Sequence, residues 1–180
     1  IDFLMTVNLD KVYYDNLTLD KFTGNIAIRD KTLGLNDITF KTLDGTIGMD
    51  GIYHTKQPKK PEFVLSFSAN KMNIKKSYAA FGSVQKLAPS AEKCSGEVSS
   101  TLRVQGFLDS KMEPELSSLS GYGKLSTYGV TVDNFKPLVK AADVLKMDNL
   151  KKAKVSDVNI SFNFENGRVT LKPFDVELEG

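Results

Sequence analysis

Cysteine, histidine and arginine are all scarce in this chain of 180 residues. Cys94 is the only cysteine, so no intrachain disulfide can form and the redox compartment stays open. Beside Lys93, its thiol reads either as a reactive group or as a small packing residue. His54 is the only histidine, and one histidine with one distant cysteine cannot build a structural zinc site. A Ser-His-Asp triad would have to use His54, but no Gly-x-Ser-x-Gly elbow is present to supply the nucleophile. Arginine is limited to Arg29, Arg103 and Arg168. Bidentate reading of phosphates or guanines favours arginine, and the net charge is only +2, so nothing suggests a nucleic-acid partner. Long apolar runs are absent too: no stretch approaches a transmembrane helix, and the start does not resemble a signal peptide.

What is present is an ordinary globular composition, 41% hydrophobic and 26% charged, at a length that suits a single domain over residues 1–180. Alternation dominates it. Phe3, Met5, Val7 and Leu9 lie two apart, as do Leu17 and Leu19, Ile26 and Ile28, Leu33 and Leu35, and Ile38 and Phe40. Ile47, Met49 and Tyr53 follow, and Phe63, Leu65 and Phe67 make the strongest strand of the first half, with Val64 and Ser66 on its other side. The short polar joints Asp30-Lys31, Asn36-Asp37 and Asp44-Gly45 predict antiparallel hairpins. In the C-terminal part, Val158, Ile160, Phe162 and Phe164 alternate up to Asn166-Gly167, a type I′ turn signal. Val169 and Leu171 return from it, and Phe174, Val176 and Leu178 alternate after Pro173. Strand, tight turn, strand, kink, strand thus occurs from Asn25 and again from Asn159, as a duplication or any β-meander would give.

Two segments carry a helical period instead. Ile74, Tyr78 and Phe81 predict a short or broken helix reaching Leu87. Phe135, Leu138, Val139, Ala142 and Leu145 form an apolar stripe, with Asp133 or Asn134 as cap and Pro137 in the first turn. The expected fold is therefore α+β but mainly β: a twisted antiparallel sheet of amphipathic strands, with two short helical segments covering part of one face.

Chemistry-bearing residues do not converge. Asp10, Asp15, Asp20, Asp30, Asp37, Asp44 and Asp50 fall where turns need them. Gly121-Tyr122-Gly123 lacks a third glycine and a following helix, and reads as a strand that bends or packs closely. Lys56, Lys59 and Lys60, and Lys151, Lys152 and Lys154, read as solvated faces or as contacts for anionic lipid head groups. No catalytic, cofactor-binding or metal-binding residue is assigned, and the chain is read as non-enzymatic.

The ordered strands resemble the C-terminal region of the AsmA family of Gram-negative envelope proteins. The likeness is carried by Asn16-Leu17-Thr18-Leu19, Gly24-Asn25-Ile26 and the run Leu33-Gly34-Leu35-Asn36-Asp37-Ile38-Thr39-Phe40-Lys41-Thr42-Leu43-Asp44-Gly45. Gly51-Ile52-Tyr53, Val84-Gln85-Lys86-Leu87-Ala88-Pro89, Gly96 and Met112 to Leu119 continue it. It ends on Gly167-Arg168-Val169-Thr170-Leu171-Lys172-Pro173-Phe174-Asp175-Val176, and so spans nearly the whole chain. AsmA-like proteins are similar to TamB and to the bridge-like lipid-transfer proteins, in which a long twisted sheet forms an apolar groove. The resemblance implies a periplasmic segment of an inner-membrane-anchored parent, cut from something longer at Ile1, that handles phospholipid and serves outer-membrane assembly. Phospholipid acyl chains and envelope proteins are the partners it implies. The apolar face of Phe63, Leu65 and Phe67 is the candidate lipid-facing surface. Its alternative is a structural module that binds a protein through a sheet edge.

Overall fold

One-sided strands need a cover, and joints of two residues leave the chain no option but to turn back on itself. The computed structural model, which describes residues 2–54, 60–109, 113–155, 157–175 and 177–179, shows the result as one antiparallel meander. Strands β1 (Phe3–Tyr14), β2 (Leu17–Arg29), β3 (Thr32–Thr42), β4 (Gly45–His54) and β5 (Glu62–Asn73) pair in sequence order. Two short helices follow, α1 (Ile74–Ala80) and α2 (Gly82–Leu87), and then β6 (Cys94–Phe107) and β7 (Ser120–Asp133) extend the sheet. Helix α3 (Lys136–Leu145) leads to β8 (Lys152–Val155), β9 (Asn159–Glu165), β10 (Arg168–Leu171) and β11 (Leu178–Glu179). Beyond β7 the sheet forks: β8 and then β11 continue from one end of β7, and β9 and then β10 from the other. The strand-dominated α+β fold expected from the two-residue period is the fold observed.

Three of the hairpins form where two consecutive residues accept a left-handed backbone. Asp30 and Lys31 (φ 48° and 59°), Leu43 and Asp44 (φ 49° and 68°) and Asn166 and Gly167 (φ 51° and 73°) have the paired positive angles of a type I′ turn.

Asn36-Asp37 is not such a joint. Asp37 alone has positive φ (54°), the register slips between Leu35 and Ile38, and β3 runs straight through. Ile38 and Phe40 therefore end β3 rather than start a new strand. The same device recurs at Lys21 (φ 53°) in β2, Lys71 (φ 52°) in β5 and Gly129 (φ 56°) in β7, each beside a register shift. A bulge adds one residue to one strand and so shifts its alternation by one. Leu33 and Leu35 before Asp37, and Ile38 and Phe40 after it, consequently project from the same face. Four bulges keep the apolar side chains together along strands too long and twisted to hold strict alternation.

The helices also differ from expectation in part. Asn73 caps α1, its side-chain oxygen accepting from Lys76 N at 3.1 Å. At α3 neither Asp133 nor Asn134 caps the helix: Phe135 holds the cap position, Asn134 is left-handed (φ 52°), and its side chain donates to Asp133. Pro137 does lie in the first turn. Of the α3 stripe Ala142 is fully buried and Phe135, Leu138 and Val139 are half-buried, but Leu145 is exposed, because α3 packs mainly on the 3-10 turn Asp148–Lys151. The third strand expected after Pro173 does not form as a partner of β10. Residues 172–175 are irregular, Val176 lies outside the described residues, and Leu178 pairs with Val155 of β8.

Candidate functional site: an apolar sheet face

Directly opposed residues in antiparallel strands project to the same side, so the pairing register reads out each face. One row runs Met5, Ile26, Leu35, Gly51, Leu65, Val104, Gly121, Phe164 and Val169. It crosses nine strands, about 38 Å at the usual strand spacing. The row on one side is Phe3, Ile28, Leu33, Tyr53, Phe63 and Gly106. On the other side lie Ile38, Met49, Phe67, Leu102, Gly123, Phe162 and Leu171. No charged residue interrupts these three rows. The opposite face is mixed: polar rows such as Asp50, Ser66, Arg103, Tyr122 and Asn163, and Thr39, Gly48, Ser68, Thr101 and Lys124, lie beside an apolar one of Leu4, Ala27, Gly34, Ile52 and Val64. Arg103 Nη1 donates there to Ser66 Oγ at 3.2 Å.

Phe63, Leu65 and Phe67 thus stand on β5 in the middle of the apolar face, one in each of the three rows, and all three are half-buried. Val64 and Ser66 project from the other side. Sequence reading found this triplet but not the glycines that interleave with it. Gly51 and Gly121 sit in the Leu65 row and Gly106 in the Phe63 row, lowering the floor between the large side chains. Gly123 lies under Phe162, whose ring would meet an added Cβ at 2.4 Å, and Phe162 stacks edge-on with Phe164 at 5.3 Å. Close packing is what Gly121-Tyr122-Gly123 serves.

Cover is partial. Helix α1 packs on β5 and β6, whereas β1 to β4 make their extensive contacts only with their neighbours in the sheet. Phe3, Met5, Leu9 and Ile28 accordingly remain between 38% and 48% exposed. The accessible surface of the chain is 12248 Å², against about 8,700 Å² for a compact monomer of its mass. The chain thus exposes more surface than a compact monomer of its size, and Phe3, Met5, Leu9 and Ile28 contribute apolar area to it.

What holds α1 over its end of the face is a polar strap to the β3–β4 turn. Lys76 Nζ lies 2.6 Å from Asp44 Oδ1, Asn73 Nδ2 donates to Asp44 Oδ2 at 3.2 Å, and Asn73 N donates to Leu43 O at 3.1 Å. The hydrogen bond from Lys76 holds the Asp44 carboxyl below its ordinary pKa, with desolvation opposing it and the Lys76 charge and Asn73 assisting. A depressed carboxylate contributes stability above its unfolded pKa and loses it as pH falls through the folded one. Melting temperature should therefore decline below about pH 4. Asp44→Asn should melt lower than wild type at pH 7, and the two curves should converge as pH falls through the folded-state pKa of Asp44. Thermal melts across that range check it, and a constant gap between the two proteins would refute it.

The remaining candidates are dispersed. His54 ends β4, half-buried, with Nδ1 2.9 Å from Thr32 Oγ1. Cys94 begins β6 half-buried, its Sγ 3.6 Å from Ser90 O, and burial raises its pKa, which disfavours the reactive thiolate. Lys151 is held by Asp143 at 3.1 Å and Asp148 at 2.8 Å, while Lys152 and Lys154 lie on β8. Lys60 Nζ sits 4.4 Å over the Phe107 ring; Lys56 and Lys59 lie outside the described residues. Among the described residues, no three of His, Cys, Asp and Glu come close enough to hold a metal ion. Comparison of the chain with protein-family models, curated proteins and solved structures finds no match.

Proposed function

We propose that this chain is a non-catalytic, lipid-handling segment of an AsmA-like envelope protein, with phospholipid acyl chains lying along its apolar face. The observation that carries the reading is the set of uncharged rows crossing the sheet, kept on one side by bulges and exposed at Phe3, Met5, Leu9 and Ile28 of its β1–β2 end. Acyl chains suit such a surface because they need continuity and width rather than directional bonds. The resemblance of the ordered strands to AsmA supports a periplasmic role in a parent anchored to the inner membrane, in phospholipid transport and outer-membrane assembly. The near-neutral charge and the polar, mixed opposite face favour envelope proteins over nucleic acid as any further partner.

The direct test is to express the chain in a Gram-negative periplasm, purify it without detergent and analyse its organic extract by mass spectrometry. Stoichiometric phospholipid supports the reading; a protein folded and free of lipid overturns it.

A second reading is favoured by the edge. β1 is a twelve-residue strand at the end of the sheet, with no proline and no register shift against β2. Such an edge can accept a strand from a partner. Lysines at Thr6 and Asn8 would block edge pairing and leave the apolar rows intact, so loss of an envelope complex with lipid retained would favour this reading.

Catalysis is not part of the proposal. His54 is engaged with Thr32, and the Cys94 thiol is held in its protonated form. His54→Ala and Cys94→Ser should each retain full activity in a complementation test of the parent protein. Loss of function at normal abundance in either would bring an enzymatic reading back.

A further inference from the structure

At one end of the sheet the first two hairpins part. β1 and β2 pair down to Tyr14 and Leu17, and β3 and β4 down to Thr42 and Gly45, but pairing between β2 and β3 stops at Asp20 and Lys41. The two hairpin ends flank a polar pocket of about 430 Å³, lined by Leu17, Asp20, Lys41, Thr42, Asp44 and, from α1, Lys76.

Leu17 and Thr42 also belong to the wall of an apolar cavity of about 520 Å³, so the two spaces adjoin. Phe40, Ile47 and Met72 line this cavity from the strands, and Phe81 and Val84 from the helical side. Its polar residues offer no anchor inside it: Ser77 Oγ is sealed off, Thr42 is buried, and Tyr14 stands 69% exposed at the rim. Hydrocarbon can enter such a cavity, but a charged group would lose its hydration there without compensation.

A charge can be held next door. Of the charged side chains lining the polar pocket, Asp44 is taken by Lys76 at 2.6 Å and Asp20 by Lys11 at 3.7 Å. Lys41 lies opposite Asp20 in the register and is exposed, with no ion-pair partner among the described residues. The spare charge of the pocket is positive.

We propose that the two spaces form one site for a lipid with an anionic head, a single acyl chain lying in the apolar cavity and the carboxylate or phosphate standing beside Lys41. The inference rests on the lipid reading above and narrows it. The open rows accept any acyl chain, whereas this site holds one chain and reads the sign of its head.

The chain has no tryptophan, so a single introduced indole reports on one place at a time. Tyr14→Trp puts it at the cavity rim, and Phe3→Trp puts it in the open rows at the other end of β1, about 37 Å away. Both replace exposed aromatic side chains. Dibromostearate, whose bromines quench indole fluorescence, is the probe; stearate and octadecanol, alike in chain and different in head charge, compete with it at about pH 8, where the carboxylate is ionised. Dibromostearate should quench Tyr14→Trp saturably. Stearate should displace it roughly two- to fivefold better than octadecanol, the range of one exposed charge interaction. Lys41→Gln in the Tyr14→Trp background should erase that preference and leave octadecanol unchanged. Phosphatidylglycerol vesicles that displace the probe assign the site to phospholipid, and vesicles that do not assign it to free fatty acid; either supports the anionic-head site. Equal displacement by stearate and octadecanol, or a preference that survives Lys41→Gln, overturns the inference. Quenching in Phe3→Trp alone also overturns it and leaves the open-face reading standing. If neither protein is quenched, both fall.

Discussion

Leu65→Asp should fold and lose its lipid. Leu65 stands in the row that crosses nine strands, half-buried and opposite Gly51 on one side and Val104 on the other. Because Gly51 offers no side chain, a carboxylate at position 65 can lean over it into water rather than be sealed in. The cost then resembles a half-exposed substitution, on the order of 1 kcal/mol, which lowers the melting temperature by about 2–4 °C in a chain of this size. A charge in the middle of the longest apolar row is a far larger obstacle to an acyl chain, which cannot hydrate it. Co-purified phospholipid should drop at least fivefold relative to wild type. Were Leu65 instead part of a closed core, the buried charge would cost several kcal/mol and unfold a marginally stable domain. An unfolded Leu65→Asp, or a folded one still carrying wild-type lipid, defeats the conduit reading.

The reason this face was legible in part lies in its strands. Alternation exposes Phe63, Leu65 and Phe67 to inspection because nothing interrupts β5 until Asn70-Lys71. Elsewhere the same face is hidden by bulges. Asp30-Lys31 and Asn36-Asp37 look alike as polar pairs between apolar pairs, yet the first reverses the chain and the second only shifts its phase. At Asp30-Lys31 both residues take positive φ, and at Asn36-Asp37 only the second does. Three of the four bulges do leave a trace, an Asp or Asn followed by a polar residue at 20–21, 36–37 and 70–71, where apolar spacing changes from two to three. Reading a spacing of three as a bulge, rather than as a strand end, recovers β2, β3 and β5 whole.

Long-range features were not legible at all. That β7 would pair with β8 at one end and β9 at the other depends on two strands that share no pattern with it. The α3 stripe promised burial as far as Leu145, but a helix can bury only what a neighbour covers, and Leu145 is left 59% exposed.

Gly24 is the position where a single methyl group should do most damage. It lies in β2 opposite Val7, with φ at +150°, a backbone conformation that side chains rarely adopt. Directly across β3, the Asp37 bulge pushes an extra residue towards it: a Cβ at Gly24 would lie 2.8 Å from Ile38 Cα, 2.5 Å from Ile38 Cδ1 and 3.1 Å from Asp37 O. Ile38 is 1% exposed and is the largest fully buried side chain among the described residues, so it has no free space to retreat into. Gly24 and the bulge are therefore one device, the missing side chain on β2 making room for the extra residue on β3. Gly24→Ala should cost about 3 kcal/mol or more, combining backbone strain with overpacking. Trimming Ile38 to alanine removes the Cδ1 collision but not the one with Cα, so Gly24→Ala with Ile38→Ala should show only partial rescue relative to the sum of the single changes. Gly82→Ala supplies the contrast, because an added Cβ there meets nothing within 4 Å and alanine favours the helix. Urea unfolding of wild type, the two single variants, the double variant and Gly82→Ala measures all of this. If Gly24→Ala unfolds within about 1 kcal/mol of wild type, Gly24 is not the partner of the Asp37 bulge, and the mechanism that keeps Ile38 and Phe40 on the lipid-facing side must be sought elsewhere.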